Sequence, residues 1–179
     1  MATGPIAVLI GAPGAGKTTI GRRTAERLHV PFADSDHLVE RATGKKVADI
    51  FVESGESEFR RLEAEAIAEA MNTFTGVLSL GGGAVMNPST REVLTGQTVI
   101  WLDVDLSNAA QRVGLNAARP LLMGNVRATL SDLMKKRTPV YQELATATID
   151  TSGRSIRMIV DEVVAQIESV GAVRGNSQS

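Results

Sequence analysis

The stretch Gly11-Ala12-Pro13-Gly14-Ala15-Gly16-Lys17-Thr18 limits what this chain can fold into more than any other. It follows the apolar run Ile6–Ile10 and opens into Thr19-Ile20-Gly21-Arg22-Arg23-Thr24-Ala25-Glu26-Arg27-Leu28. The order is strand, glycine-rich turn, helix, with the G-x-x-x-x-G-K-[ST] spacing of a phosphate-binding loop. Glycines let the backbone curl until consecutive N–H groups point inward and cradle phosphate oxygens. The helix that follows turns its positive dipole end and unpaired N–H groups on the same anion. In that pattern Lys17 sits on the β/γ-phosphates as a point charge and the Thr18 hydroxyl ligates Mg²⁺.

The 179 residues suit one domain with a sizeable core. A formal net charge of -1 gives no global basic field for nucleic acid or an anionic membrane. The chain has no cysteine, which excludes disulfides, thiolate metal sites and a cysteine nucleophile. Ile6–Ile10 is too short for a signal-peptide core and has no basic residue before it. No run approaches 18 apolar residues. A soluble cytoplasmic protein is the expectation, with a single domain over residues 1–170 and a frayed polar tail over 171–179.

Apolar runs of strand length alternate with helical patterns. The strand candidates are Ile6–Ile10, Val30–Ala33, Val77–Leu80, Thr98–Val104 and Thr146–Asp150. Several are continuously apolar, as parallel strands covered on both faces should be. Helices are expected over 18–28, 36–42, 47–52, 56–72, 89–94, 107–113, 127–136 and 156–168, with Asn87 as N-cap and Pro88 at the first position of one of them. This alternation argues an open, mainly parallel α/β sandwich, in which ligands bind beyond the carboxyl ends of the strands.

Those strand ends carry the chemistry. Asp34-Ser35-Asp36 ends the second strand; in extended chain the two carboxylates would point the same way. One could support Mg²⁺ beside Thr18 while the other orients or deprotonates an acceptor hydroxyl; Asp36 also suits a helix N-cap. Arg60 and Arg61 enter the first turns of a helix, against its dipole. An acceptor carboxylate would explain a guanidinium there, and so would pairing with Glu56, Glu58, Glu63 or Glu65. Gly81-Gly82-Gly83 ends the third strand, as a tight turn or a place where backbone closes on a ligand. Arg112, Arg119 and Arg137 lie in or beside Gly114–Gly124, a segment poor in periodicity that reads as an ordinary surface loop or as a lid over the transferring phosphoryl group. His29 and His37 read as surface residues and Trp101 as core. Phe51 and Phe59 read as packing residues or walls of a small pocket, and Tyr141 has no evident catalytic partner.

Taken together these residues resemble the shikimate kinase family. The similarity is an ordered series from about Ile6 to Arg154: Gly11–Thr18, Asp34-Ser35-Asp36, Ala48-Asp49-Ile50-Phe51, Gly55-Glu56 with Phe59-Arg60, Leu80-Gly81-Gly82-Gly83-Ala84, Arg119-Pro120-Leu121-Leu122 and Arg137-Thr138-Pro139-Val140-Tyr141. The resemblance implies a three-layer α/β/α sandwich around a five-stranded parallel sheet in the order 2-3-1-4-5. It implies transfer of the ATP γ-phosphoryl group to the 3-hydroxyl of shikimate, with Mg²⁺, by a monomer. Under it Gly14, Ala15, Gly16, Lys17, Thr18 and Thr19 bind ATP, with Arg112 and Arg154 on the nucleotide side. Thr18 ligates the metal and Asp34 reaches it through water. Asp36 holds the shikimate hydroxyls as candidate base, and Arg60 and Arg137 clamp the carboxylate. Gly81, Gly82 and Gly83 approach the substrate, which Phe51, Phe59 and Glu63 line or brace. Arg119 closes over the phosphates from a lid at about 112–124, and the substrate region spans about 34–62. Arg154 is followed by Ser155-Ile156 where the family pattern has a proline-containing turn.

Two other readings compete. Another small-molecule kinase, such as one acting on gluconate, would also take a polyhydroxylated carboxylate. A regulatory nucleotide switch would need no acceptor, but the chain has no N-K-x-D guanine signature.

Overall fold

The structure, a computed structural model, describes residues 3–116 and 123–177. Its sheet has five parallel strands: β1 (Ala7–Ile10), β2 (Phe32–Asp34), β3 (Val77–Ser79), β4 (Val99–Asp103) and β5 (Ala147–Asp150). Their order is β2-β3-β1-β4-β5, so the chain reverses its winding direction at β1. Helices α1 (Lys17–Leu28), α2 (Ser35–Thr43), α3 (Val47–Thr73), α4 (Pro88–Leu94), α5 (Leu106–Asn116), α6 (Met123–Leu144) and α7 (Ile156–Asn176) fill the connections. The expected three-layer sandwich and strand order are present.

Burial on both faces follows the apolar runs. Ala7, Leu9, Ile100, Leu102 and Ile149 face a core closed by Ile20 and Ala25 of α1 and by Ile159, Val160 and Val163 of α7. Val8, Ile10, Leu78, Leu80, Val99 and Trp101 face the other, closed by Ile67 and Ala70 of α3 and Tyr141 of α6. Trp101 is core, as expected. The two layers leave the carboxyl ends of β1, β2 and β3 side by side.

Four local differences from the sequence expectations have physical causes. The aspartates do not share an extended segment. Asp34 ends β2 and is itself the N-cap, its side chain accepting the Asp36 N–H, and Asp36 sits inside the first turn of α2. The two expected helices over 47–52 and 56–72 are joined within α3 at Gly55, whose φ of 82° only glycine adopts without strain. The helix expected to stop at Lys136 runs as α6 through Pro139 to Leu144. Proline forfeits one helical hydrogen bond there, but the turn beyond it buries Tyr141, and packing outweighs propensity. Finally, α7 continues to Asn176, through most of the segment expected as a polar tail. Asn87 caps α4 with Pro88 behind it, as expected.

Among the described residues no helix is long and apolar enough to cross a membrane. Between α3 and β3 the chain passes tightly under the start of β2. Val77 N–H donates to the Pro31 carbonyl at 2.9 Å, and a Cβ added to Gly76 would lie 1.8 Å from that same oxygen. Backbone, not a flexible side chain, would have to give. Gly76→Ala should therefore lower unfolding stability in urea by about 2 kcal/mol or more, at the upper part of the overpacking range; a loss under about 0.5 kcal/mol, the scale of a neutral surface change, would contradict this crossing.

Candidate active site

The phosphate-binding loop connects β1 to α1. Gly14 and Gly16 adopt φ of 82° and 88°, and Gly16 is the N-cap of α1 with no side chain of its own to satisfy the helix end. The first N–H groups of α1 are thus left for an anion. Lys17 Nζ folds back over the loop, donating to the carbonyls of Gly11 at 2.7 Å and Ala12 at 3.0 Å. Burial pulls its pKa from 10.5 to about 8; Asp34 and Asp36 oppose that shift, and Arg137 adds to it. The charges that act on this amine come from two separate segments, the start of α2 with Asp34 and Asp36, and α6 with Arg137.

On the donor side, Thr18 Oγ1 donates to Asp34 Oδ2 at 3.2 Å. A hydroxyl and a carboxylate side by side at the mouth of a phosphate loop are hard oxygen donors of the kind Mg²⁺ takes together with phosphates and waters. Arg112, from α5, donates to the Gly14 carbonyl at 2.9 Å and the Thr151 carbonyl at 3.3 Å, bracing the loop against the end of β5. Arg154 is held by the Asp150 carbonyl at 2.8 Å and by Glu162 at 2.6 Å. Thr19 is exposed on the first turn of α1.

The side of the cleft facing the loop is built by α2, α3, the glycine triplet and α6. Burial pushes the Asp36 carboxyl up, as does neighbouring Asp34, while Arg60 and Lys17 hold it down. Arg60 Nη1 donates to Glu63 Oε1 at 2.8 Å, and Glu63 is 2% exposed. Burial likewise pushes Glu63 up, against the Arg60 hydrogen bond, and its Oε2 has no partner among the described residues. Arg61 points elsewhere, bonded to Glu58 and Glu65 on the solvent face. The arginine pair thus divides as the sequence left open, with Arg60 inward and Arg61 on the surface.

The triplet lies where all of these meet. A Cβ on Gly81 would touch Glu63 Oε2 and Asp36 Oδ1, at 3.2 and 3.4 Å. One on Gly82 would stand 3.0 Å from Arg137 Nη1 and 3.1 Å from Pro13 Cδ of the phosphate loop. One on Gly83 would stand 2.5 Å from Arg60 Nη2 and 2.8 Å from Arg137 Nη2. A side chain on Gly83 would displace both guanidinium groups, which flank it, and one on Gly82 would press on Arg137. Phe59 is buried and Phe51 partly exposed, with ring centroids 4.7 Å apart, and the Arg60 guanidinium lies over the Phe59 ring. Phe59 and Glu63 therefore hold Arg60 between them, and Phe51 packs on the Phe59 ring.

Arg119 lies outside the described residues, as do the other positions of 117–122 within the expected lid. Two residues that the sequence reading gave no role belong to the site. Ser35, fully buried, accepts the Gly81 N–H on its Oγ at 2.9 Å and ties the end of β2 to the triplet. Tyr141 donates its hydroxyl to the Gly82 carbonyl at 2.6 Å. Its signal was available: it stands four residues after Arg137, on the same face of a helix once the helix passes Pro139.

One closed group of charges can hold a polyphosphate on one side and a hydroxylated carboxylic acid on the other. The comparisons agree with that. The family model described as shikimate kinase matches residues 13–168. A shikimate kinase of Thermobifida fusca is 50% identical over 171 residues, covering 96% of this chain and 99% of that protein. The solved shikimate kinase of Acinetobacter baumannii in complex with shikimate superposes with a TM-score of 0.83 at 37% identity, covering 94% of this chain and 95% of that one. A gluconokinase of Sinorhizobium meliloti superposes at 0.66 with 20% identity over 99% of this chain and 98% of that one, which shows a shared fold alone. With the family model matched over most of its length and half of its residues shared with such a relative, the chain belongs to the shikimate kinase family.

Proposed function

We propose that the residues of this cleft divide the family reaction, ATP-dependent phosphorylation of the shikimate 3-hydroxyl, into a donor half and an acceptor half that meet at Lys17 and Asp36. In the donor half, Gly14, Ala15, Gly16 and the N-terminus of α1, with Thr18 and Thr19, hold the ATP phosphates. Arg112 fixes the loop beside them. Thr18, with Asp34 through water, would hold Mg²⁺, which when bound supplies charge neutralisation at the β- and γ-phosphates. Arg119 from the lid over 112–124 is assigned to the phosphates, and Arg154 to the nucleotide side.

In the acceptor half, Arg60 and Arg137 take the carboxylate of shikimate in the gap that Gly83 leaves between them. Asp36 accepts a hydrogen bond from the hydroxyl that attacks, orients it in line with the γ-phosphate and takes up its proton as transfer proceeds. A carboxyl made more basic by burial suits that last step. Glu63 keeps Arg60 pointed at the substrate, and Phe51 and Phe59 wall the ring. The observation that carries this reading is the convergence of Asp36, Arg60 and Arg137 on the glycine triplet opposite Lys17. We place the enzyme in the cytoplasm as a monomer acting on ATP and shikimate, without a nucleic-acid or membrane partner. The substrate region is assigned to about 34–62 within one domain over 1–170.

Asp36→Asn keeps the shape of the site and loses the base. Its kcat should fall by about 10²–10⁴, the range for general-base loss, with ATP binding retained; steady-state rates and ATP titration check this, and a near-normal kcat refutes the role. Arg60→Lys exchanges a two-pronged donor for a point charge, so the KM for shikimate should rise about tenfold or more with a smaller change in kcat. An unchanged KM contradicts the carboxylate clamp.

The pH profile follows from the signs of the shifts. Asp36 works ionised, so kcat/KM for shikimate should fall as pH drops through a pKa above the usual 3.8, and Asp36→Asn should remove that limb. Lys17 works protonated, so kcat/KM for ATP should fall as pH rises through about 8. Bound phosphates favour the ammonium form, so the corresponding limb of kcat should lie at higher pH. A basic limb at the same pH in both profiles would contradict the Lys17 assignment.

A further inference from the structure

Tyr141 is the sole tyrosine of the chain. It is 1% exposed, packs on Trp101 at a centroid distance of 5.9 Å, and stands one helical turn after Arg137 on α6. Packing alone does not require a hydroxyl, and phenylalanine would fill the same volume. The hydroxyl donates to the Gly82 carbonyl at 2.6 Å and so ties α6 to the glycine triplet, beside the approach of Arg137 to the same residues.

The carbonyl of Gly82 and the N–H of Gly83 belong to one planar trans peptide, so they point in opposite directions. Drawing the carbonyl inward, toward the buried tyrosine, turns the Gly83 N–H outward. Gly83 is the residue flanked by the Arg60 and Arg137 guanidinium groups, and its N–H has no acceptor among the described residues. We propose that Tyr141 is a positioning residue for the acceptor carboxylate: its hydroxyl locks the Gly82–Gly83 peptide so that the Gly83 N–H stands between Arg60 and Arg137 as a third donor. The same helix thus supplies a charge to the receptor at Arg137 and sets a backbone dipole at Tyr141. Burial pushes the phenol up to about 12, against the charge of Arg137 and the hydrogen bond that Arg137 makes to the phenol oxygen, so the hydroxyl remains a donor across the working pH range. Without the lock, glycine on both sides leaves the peptide free to rotate away.

The proposal rests on the assignment of Arg60 and Arg137 to the carboxylate, and its test separates the two. Wild type and Tyr141→Phe are assayed with shikimate and with its triol analogue lacking the carboxylate, with ATP varied in parallel. Wild type should prefer shikimate. Tyr141→Phe should raise the shikimate KM about tenfold, while the KM values for ATP and for the triol stay within about twofold. An unchanged shikimate KM, or equal losses with acid and triol, overturns the positioning role. If wild type itself fails to distinguish acid from triol, the carboxylate clamp is what fails, and the Tyr141 proposal falls with it. Should Tyr141→Phe not fold, as judged by circular dichroism, the wild-type chain labelled with 3-fluorotyrosine gives a single ¹⁹F resonance. Movement of that resonance with shikimate and not with triol supports the lock, and any other pattern overturns it.

Discussion

The buried amine of Lys17 is the charge around which the cleft is arranged. An ammonium taken out of water must be compensated, and here two carbonyls of its own loop solvate it while Asp34 and Asp36 face it. Burial and Arg137 oppose them and pull the amine down to about 8, so that it stays an ammonium at neutral pH with its charge only partly compensated. Such a site is poised for an anion: triphosphate would supply the negative charge that the protein provides only in part. The parallel sheet makes this possible by bringing the ends of β1, β2 and β3 together where the winding reverses.

The acceptor half depends on the absence of side chains. Two guanidinium groups, two carboxyls and a loop proline approach the triplet so closely that a single methyl group on Gly83 would meet Arg60 Nη2 at 2.5 Å. Charge is matched within this cluster, with Arg60 set against Glu63 and Asp36 against Lys17 and Arg60. A buried pair of this kind contributes little net stability, because desolvation offsets most of the attraction. Its value lies in geometry: Glu63 and the Phe59 ring hold one guanidinium, and α6 holds the other.

The strands and the donor half were legible because they rest on local chemistry. Continuous apolar runs announce buried parallel strands, and the loop from Gly11 to Thr18 has few other uses. The proposed acceptor residues were identifiable through the family pattern, which singled out Arg60; by charge alone Arg60 and Arg61 were indistinguishable, and the fold separates them by pairing Arg60 with buried Glu63 and Arg61 with Glu58 and Glu65 on the solvent face. What sequence reasoning missed depends on tertiary packing. Asp34 rather than Asp36 caps α2, because the helix begins one residue earlier than the expected span. Gly55 kinks a helix instead of ending one. Pro139 looks like a stop, but Tyr141 beyond it is buried, so the turn persists. The roles of Ser35 and Tyr141 follow from these details: each fixes a peptide of the triplet, and neither carries a charge that would draw attention in the sequence.

In the proposed reading, the groups opposite Lys17 select shikimate as acceptor. Release of ADP measured in parallel with shikimate, quinate, gluconate and nucleoside monophosphates, with the product identified by mass spectrometry, tests it most directly. Turnover with shikimate to shikimate 3-phosphate is expected, and with the other acceptors no more ADP than with none. Faster turnover with gluconate or a nucleoside monophosphate, or equal ADP release with no acceptor at all, would contradict it.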